Sequence, residues 1–356
     1  MTRGITRRAM LALLPAGLAA QHKARFSRAK PLPSVGEFVR FFDPLTENPV
    51  VRLTNPTASS VLPAAANRFV SVRERFLIFS SDRTGRCAPY HVNLRTGFLH
   101  QITETDGLEP RSLCLDARER SLYFIDGGEL KEASLTKGRP ETIAEGITAF
   151  SVVAPEAGFF LVRNGKLEQR TGSRRLVLAE DVVSECWARP AGAGCLFARD
   201  TSESQREFWY AAGHAPAIRL ASGRISDPFW APDGRSIVFL REVSVADRVL
   251  SEIHEVSLAN RTERCVTPTS QFASFAPNGD GSVFVGASRS KAQPAIVLLL
   301  RSVRREMTLC EHHASQPANV SPAFSPDSRR VYFQSDHQGK PAIYSVNVEL
   351  LVEPLG

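Results

Sequence analysis

Four side chains fall where inner strands are predicted to begin: Arg68, Arg111, Glu185 and Asp227. A guanidinium there can take a carboxylate through two parallel hydrogen bonds. As structural residues, the same four only line a wet channel. Trp187 and Trp230 offer flat faces for ring stacking, or pack between neighbouring sheets. The eight histidines are His22, His91, His100, His214, His254, His312, His313 and His337, and none sits on a predicted inner strand. His312 and His313 occupy a loop four and three residues before Gln316. Asp82, Asp233, Asp327 and Asp336 read as turn residues without chemistry. The chain has no GxSxG, HExxH, phosphate-loop or GxGxxG pattern worth pursuing.

The elements that must position these residues come from a repeat. One apolar pattern, ending on an aromatic anchor, recurs along the chain. The anchors are Phe79, Phe124, Phe160, Phe197, Phe239, Phe284 and Phe333, spaced 45, 36, 37, 42, 45 and 49 residues apart. A turn precedes the anchor in several copies: Ala231–Gly234, Ala276–Gly279 and Ser325–Ser328. Proline fixes the first turn dihedral, and Asp-Gly or Asn-Gly accepts positive φ. Strands flank each anchor, and a further strand closes each unit, as in Glu141–Ala144 or Cys265–Thr267. Four short strands per unit of about 42 residues predict an all-β, seven-bladed propeller. The seventh unit lacks its fourth strand. Residues 50–54 are predicted to supply it and close the ring, which removes an open sheet edge.

Composition sets the outer bounds. The chain has 356 residues, 43 % hydrophobic and 23 % charged, as in ordinary globular proteins rather than disordered ones. The net charge is +7, and Arg3, Arg7 and Arg8 account for three of those charges. The remaining balance is too mild to suggest nucleic-acid binding. Arg7-Arg8 precede an apolar run from Ala9 to Ala20 that is too short to span a bilayer. Small residues end it, so residues 1–20 are expected to be an export signal of the twin-arginine type. A linker (21–35), the propeller (36–350) and a tail (351–356) follow, which places the protein in the periplasm or outside the cell. The six cysteines are dispersed and form no CxxC pair; Cys186 and Cys195 are close enough to bridge, or they are small buried residues like the rest.

The pieces Phe324-Ser-Pro-Asp327 and Tyr332-Phe-Gln-Ser-Asp336 resemble TolB-type propeller repeats. Three further stretches resemble oligogalacturonate lyases: Phe42-Asp43-Pro44-Leu45-Thr46 with Val51–Thr54, Phe229-Trp230 with Pro232-Asp233-Gly234, and Gln316–Phe324 with Ser335–Tyr344. The resemblance spans roughly residues 36–348. It implies a seven-bladed propeller that acts on short pectin fragments by β-elimination, assisted by a divalent metal, typically Mn²⁺. Such a reaction needs a cation to neutralise a uronate carboxylate and a base near the working pH to take a carbon-bound proton.

The departures from that family are specific. Its last-blade motif Gln-x-x-His-x-His stands here as Gln316-Pro-Ala-Asn319-Val-Ser321, and its histidine before Phe-Trp is Asp227. The stretch matching its catalytic histidine is Phe197-Ala-Arg-Asp200-Thr201, without an imidazole. The resemblance therefore implies a metal set of Gln316, Asn319, Asp227 and His313, with His312 and His313 as replacements for the missing ligands or as a solvated pair. Arg68, Arg111 and Asp227 are the expected contacts to an acidic oligosaccharide. Two functions stay open: a divergent exported propeller that cleaves or binds acidic pectin-derived oligosaccharides, and a non-catalytic TolB-like propeller that binds a protein or glycan of the cell envelope.

Overall fold

The computed structural model describes residues 36–348, apart from 137–138, 154–157, 181, 191, 203, 247 and 270. The expected export signal, linker and tail lie outside the described residues. Six four-stranded antiparallel sheets and one five-stranded sheet form the seven blades. Among the described residues, helix is confined to one turn, Pro317–Asn319.

Each anchor phenylalanine lies on the second strand of its blade. All seven are at most 2 % exposed. The core they anchor lies between blades, where aromatic edges meet. Tyr123 meets Phe159 at 5.1 Å, Phe208 meets Phe239 at 5.6 Å, and Phe229 meets Phe275 at 5.5 Å. Edge-to-face pairs of this kind add to area burial because a ring's positive rim faces its neighbour's negative face. Sheets covered on both faces read as near-continuous apolar runs, which is why the anchor pattern was visible in the sequence.

The turn before the second strand repeats in atomic detail. In blade five, Ala231 N–H donates to Ser236 O at 2.9 Å, and Gly234 N–H donates to Ala231 O at 2.8 Å. The same pair of bonds recurs from Ser71, Asp116, Asn278 and Ser325. In each, the fourth residue has positive φ: Glu74, Glu119, Gly234, Gly281 and Ser328. Blade six departs from the expected Ala276–Gly279 turn. Its turn starts two residues later, and Gly281 rather than Gly279 takes the positive φ. Asn278 sets this register by accepting Val283 N–H on its side-chain oxygen at 3.0 Å.

Blade seven is closed by the N-terminal segment. Pro49–Arg52 pairs with Ala342–Asn347, with Val50 opposite Val346 and Arg52 opposite Tyr344. Leu53 N–H donates to Ile343 O at 2.7 Å, and Ile343 N–H donates to Thr54 Oγ1 at 2.9 Å. The predicted 50–54 closure is thus present, but it is not the outermost element. A fifth strand, Val39–Phe42, pairs outside it. The Asp43 carboxylate holds the joining turn, accepting Thr46 N–H at 2.9 Å and Glu311 N–H at 2.9 Å. Thr46 Oγ1 donates to Leu309 O at 2.8 Å. The Phe42–Thr46 motif therefore fastens blade seven to the outer strand of blade six.

Candidate functional site

A cavity of about 470 Å³ lies where the innermost segments converge. Every blade contributes to its wall: Asn67, Arg111, Thr148, Glu185, Asp227, Ser274 and Ser321 stand for blades one to seven in order. It is therefore the central channel. The Ser274 and Ser321 hydroxyls are buried and have no hydrogen-bond partner among the described residues.

Asp227 sits on a bulge in the inner strand of blade five. The ladder slips between Ser226 and Phe229, and Asp227 has φ +48. Pro228 has no N–H to give to the ladder, so the slip costs one hydrogen bond less there. The bulge turns the carboxyl into the channel. Burial lifts it to about 6, against the opposing pull of the Ser226 hydroxyl and of Arg111. Ser226 Oγ donates to Asp227 Oδ2 at 2.9 Å. Arg206 reaches the cavity from the second hairpin of blade four. Its Nη1 lies 3.3 Å from Glu185 and its Nε 2.6 Å from Asp200. Arg111 is exposed in the cavity and makes no ion pair among the described residues.

The expected site residues are only partly brought together. Arg111, Glu185, Asp227 and Trp187 line one cavity. Arg68 lies in a different hollow, beside Asp116, with Nη1 3.5 Å from its carbonyl. Gln316 is exposed in a depression that adjoins the channel and shares Arg206 and Ser226 with it. Asn319 is exposed, and its carbonyl accepts Gln334 Nε2 at 2.6 Å. His313 lies apart from both, in a hollow lined by Phe41, Glu311 and His337. Trp230 packs edge-on against Tyr210 at 6.0 Å and donates Nε1–H to Trp187 O at 3.1 Å.

His312 corrects the expectation of a ligand or a solvated loop residue. It is fully buried. Its Nε2 lies 2.9 Å from Ser288 O, and its Nδ1 accepts Ala314 N–H at 3.0 Å. Both ring nitrogens are spent on backbone, and burial pushes the imidazole towards its neutral form. Arg206 and Ser274 escaped sequence reading, whereas Ser321 is the motif position that lacks its histidine. Arg206 stands on a third strand in a polar hairpin, and nothing local says that its side chain turns inward. All six cysteines, Cys186 and Cys195 included, are unbridged.

Fold and site thus define a seven-bladed propeller with a polar, arginine-lined pocket on its axis. Comparison with known proteins narrows that class. The chain is 27 % identical to the oligogalacturonide lyase of Pectobacterium atrosepticum over 142 residues, 34 % of this chain and 36 % of that protein. The match thus spans about a third of that relative's length. An oligogalacturonate lyase in complex with manganese aligns with a TM-score of 0.78 at 17 % identity, covering 90 % of this chain and 98 % of that one. An oligogalacturonate lyase from Vibrio parahaemolyticus gives 0.78 at 18 % identity, covering 91 % and 100 %. No protein-family model matches the chain. With the seven blades, these likenesses support an oligogalacturonate lyase-like family for this chain.

One of these structural neighbours is in complex with manganese, a divalent metal. The donors in the channel do not fit one. Asp227 faces Arg111 and Arg206, and the other expected donors, Gln316, Asn319 and His313, lie outside the cavity wall. Glu109 and Glu185 also line the wall, but Arg206 already pairs Glu185, and among the described residues no three carboxylate, imidazole or thiol donors converge there.

Proposed function

We propose that the channel receives a short acidic oligosaccharide and that Asp227 and Arg111 act on its uronate. The observation that carries this reading is their pairing in one cavity. A carboxyl raised to about 6 stands beside a guanidinium that has no ion-pair partner among the described residues.

The chemistry follows from that pair. Arg111, with Arg206 behind it, takes the sugar carboxylate and offsets the charge that develops next to it. Asp227 is ionised at neutral pH yet more basic than an ordinary carboxylate, so it removes the carbon-bound proton beside that carboxylate. The electron pair forms a ring double bond, and the glycosidic oxygen at the next carbon departs, taking a proton from water. The products are an unsaturated uronide and a shortened sugar.

A second reading has its own support. No imidazole lines the channel among the described residues, which favours a propeller that binds a glycan or envelope protein without turnover. One experiment separates the two. The purified protein is incubated with oligogalacturonides, with and without Mn²⁺, and the absorbance of the unsaturated product is followed across a pH series. Product formation supports the lyase reading. Binding by calorimetry with no product at any pH overturns it in favour of the binding module. We also propose export through residues 1–20; a reporter fused to residues 1–35 that stays inside the cell would reject this.

A further inference from the structure

Away from the channel, the two outermost strands of blade five hold a cluster with metal-ligand chemistry. Glu252 and His254 alternate on Arg248–Ser257, and Glu263 and Cys265 alternate on Glu263–Pro268. His254 stands directly opposite Cys265. The two-residue period of a strand puts all four on one face. One ligand atom each from Glu252, His254 and Cys265 lies within 4.8 Å of the others. A tetrahedral zinc sets its ligand atoms roughly 3.3–3.8 Å apart, from bonds of about 2.0–2.3 Å. Small side-chain rotations close that difference.

The surroundings are those of a metal-binding imidazole. His254 Nδ1 donates to Glu263 Oε1 at 2.7 Å. Arg241 grips the same carboxylate with Nε at 2.7 Å and Nη2 at 2.9 Å. The ring is thereby fixed with Nε2 towards Glu252, 2.9 Å away. A carboxylate behind the non-ligating nitrogen is the usual outer partner of a metal-bound histidine. Arg241 cancels the charge of Glu263, which leaves the Glu252 carboxylate and the Cys265 thiolate to balance a divalent ion. Cys265 is exposed, so ions reach the cluster from solvent.

We propose that Glu252, His254 and Cys265 bind one zinc-class divalent cation, with Glu263 and Arg241 orienting the imidazole. Thiolate and imidazole ligands select zinc over manganese or magnesium. Three protein ligands leave a fourth position to water. The ion ties the last two strands of the blade together.

The probe is Co²⁺ titrated into the purified full chain, followed by Zn²⁺. The expected result is one Co²⁺ per chain with a thiolate-to-cobalt charge-transfer band that Zn²⁺ abolishes. C265S, a conservative change at an exposed position, removes the band. E263Q weakens Zn²⁺ binding about 10–100-fold while leaving the band's position unchanged. D227N, in the channel, keeps both band and stoichiometry. Zn²⁺ raises the Tm of the parent chain but not of C265S. No band in the parent chain, or a band that survives in C265S, overturns the proposal. Glu252, His254 and Glu263 would then be a metal-free hydrogen-bonded staple.

Discussion

At the scale of single residues, Asp227 makes the sharpest statement about pH. Its carboxyl is lifted to about 6, so the base is ionised above that value and protonated below it. The elimination rate should rise as pH climbs through about 6 and then level, and D227N should lower it about 10²–10⁴-fold. A pH–rate profile of product absorbance checks both. The linked effect on stability has the opposite sign. The folded state holds the Asp227 proton more tightly than the unfolded chain does, so stability grows as pH falls from about 6 towards the ordinary carboxylate range. Many carboxylates held below their ordinary range, Asp82, Asp126 and Glu255 among them, act with the opposite sign. The Asp227 contribution is therefore read as a difference. In urea unfolding, the stability of D227N relative to the parent chain should rise as pH climbs from the ordinary carboxylate range to about 6. R111A should weaken binding of a charged digalacturonate by about 10–100-fold, the worth of a hydrogen-bonded ion contact, and should leave a methyl-esterified analogue unaffected. The positions of Asp227 and Arg111 were legible in the sequence because the repeat fixes where inner strands start. Their environment was not, because Arg206 arrives from a hairpin whose own residues read as ordinary polar surface. His312 is the reverse case: its burial depends on the Ser288 carbonyl, 24 residues away, which no local pattern reveals.

At the scale of elements, contacts between neighbouring strands of a blade leave little room. Gly286, on the second strand of blade six, lies under the Phe272 ring, and a Cβ there would enter the ring. G286A should therefore cost about 1–3 kcal/mol by overpacking, seen as a lower urea midpoint at unchanged m. Phe197, fully buried between strands, should cost about 3–5 kcal/mol on truncation to alanine. The strands around these anchors were readable because a buried aromatic and its flanking turn lie within a few residues of each other. The fifth strand of blade seven was not readable as a strand. Val39–Phe42 is largely exposed, and its place depends on the Asp43 carboxylate reaching Glu311.

At the scale of the whole molecule, the ring is held by a join between segments some 290 residues apart in sequence, as in the Ile343–Thr54 bond. A chain starting at residue 55 should leave blade seven three-stranded with a bare edge, lose cooperative unfolding and self-associate. Adding a peptide of residues 36–54 should restore monomeric behaviour, read by light scattering. The same join has a consequence for synthesis. The ribosome makes Pro49–Arg52 among the first strands and its partner Ala342–Asn347 last. For nearly the whole of translation this strand waits without its mate. A nascent chain stalled in blade six thus carries one half of an unmade seam, and the native state becomes reachable only once the final hairpin emerges. Long-range closure of this kind is slow to form. This molecule should depend more than most of its size on whatever guards unpaired strands until translation ends.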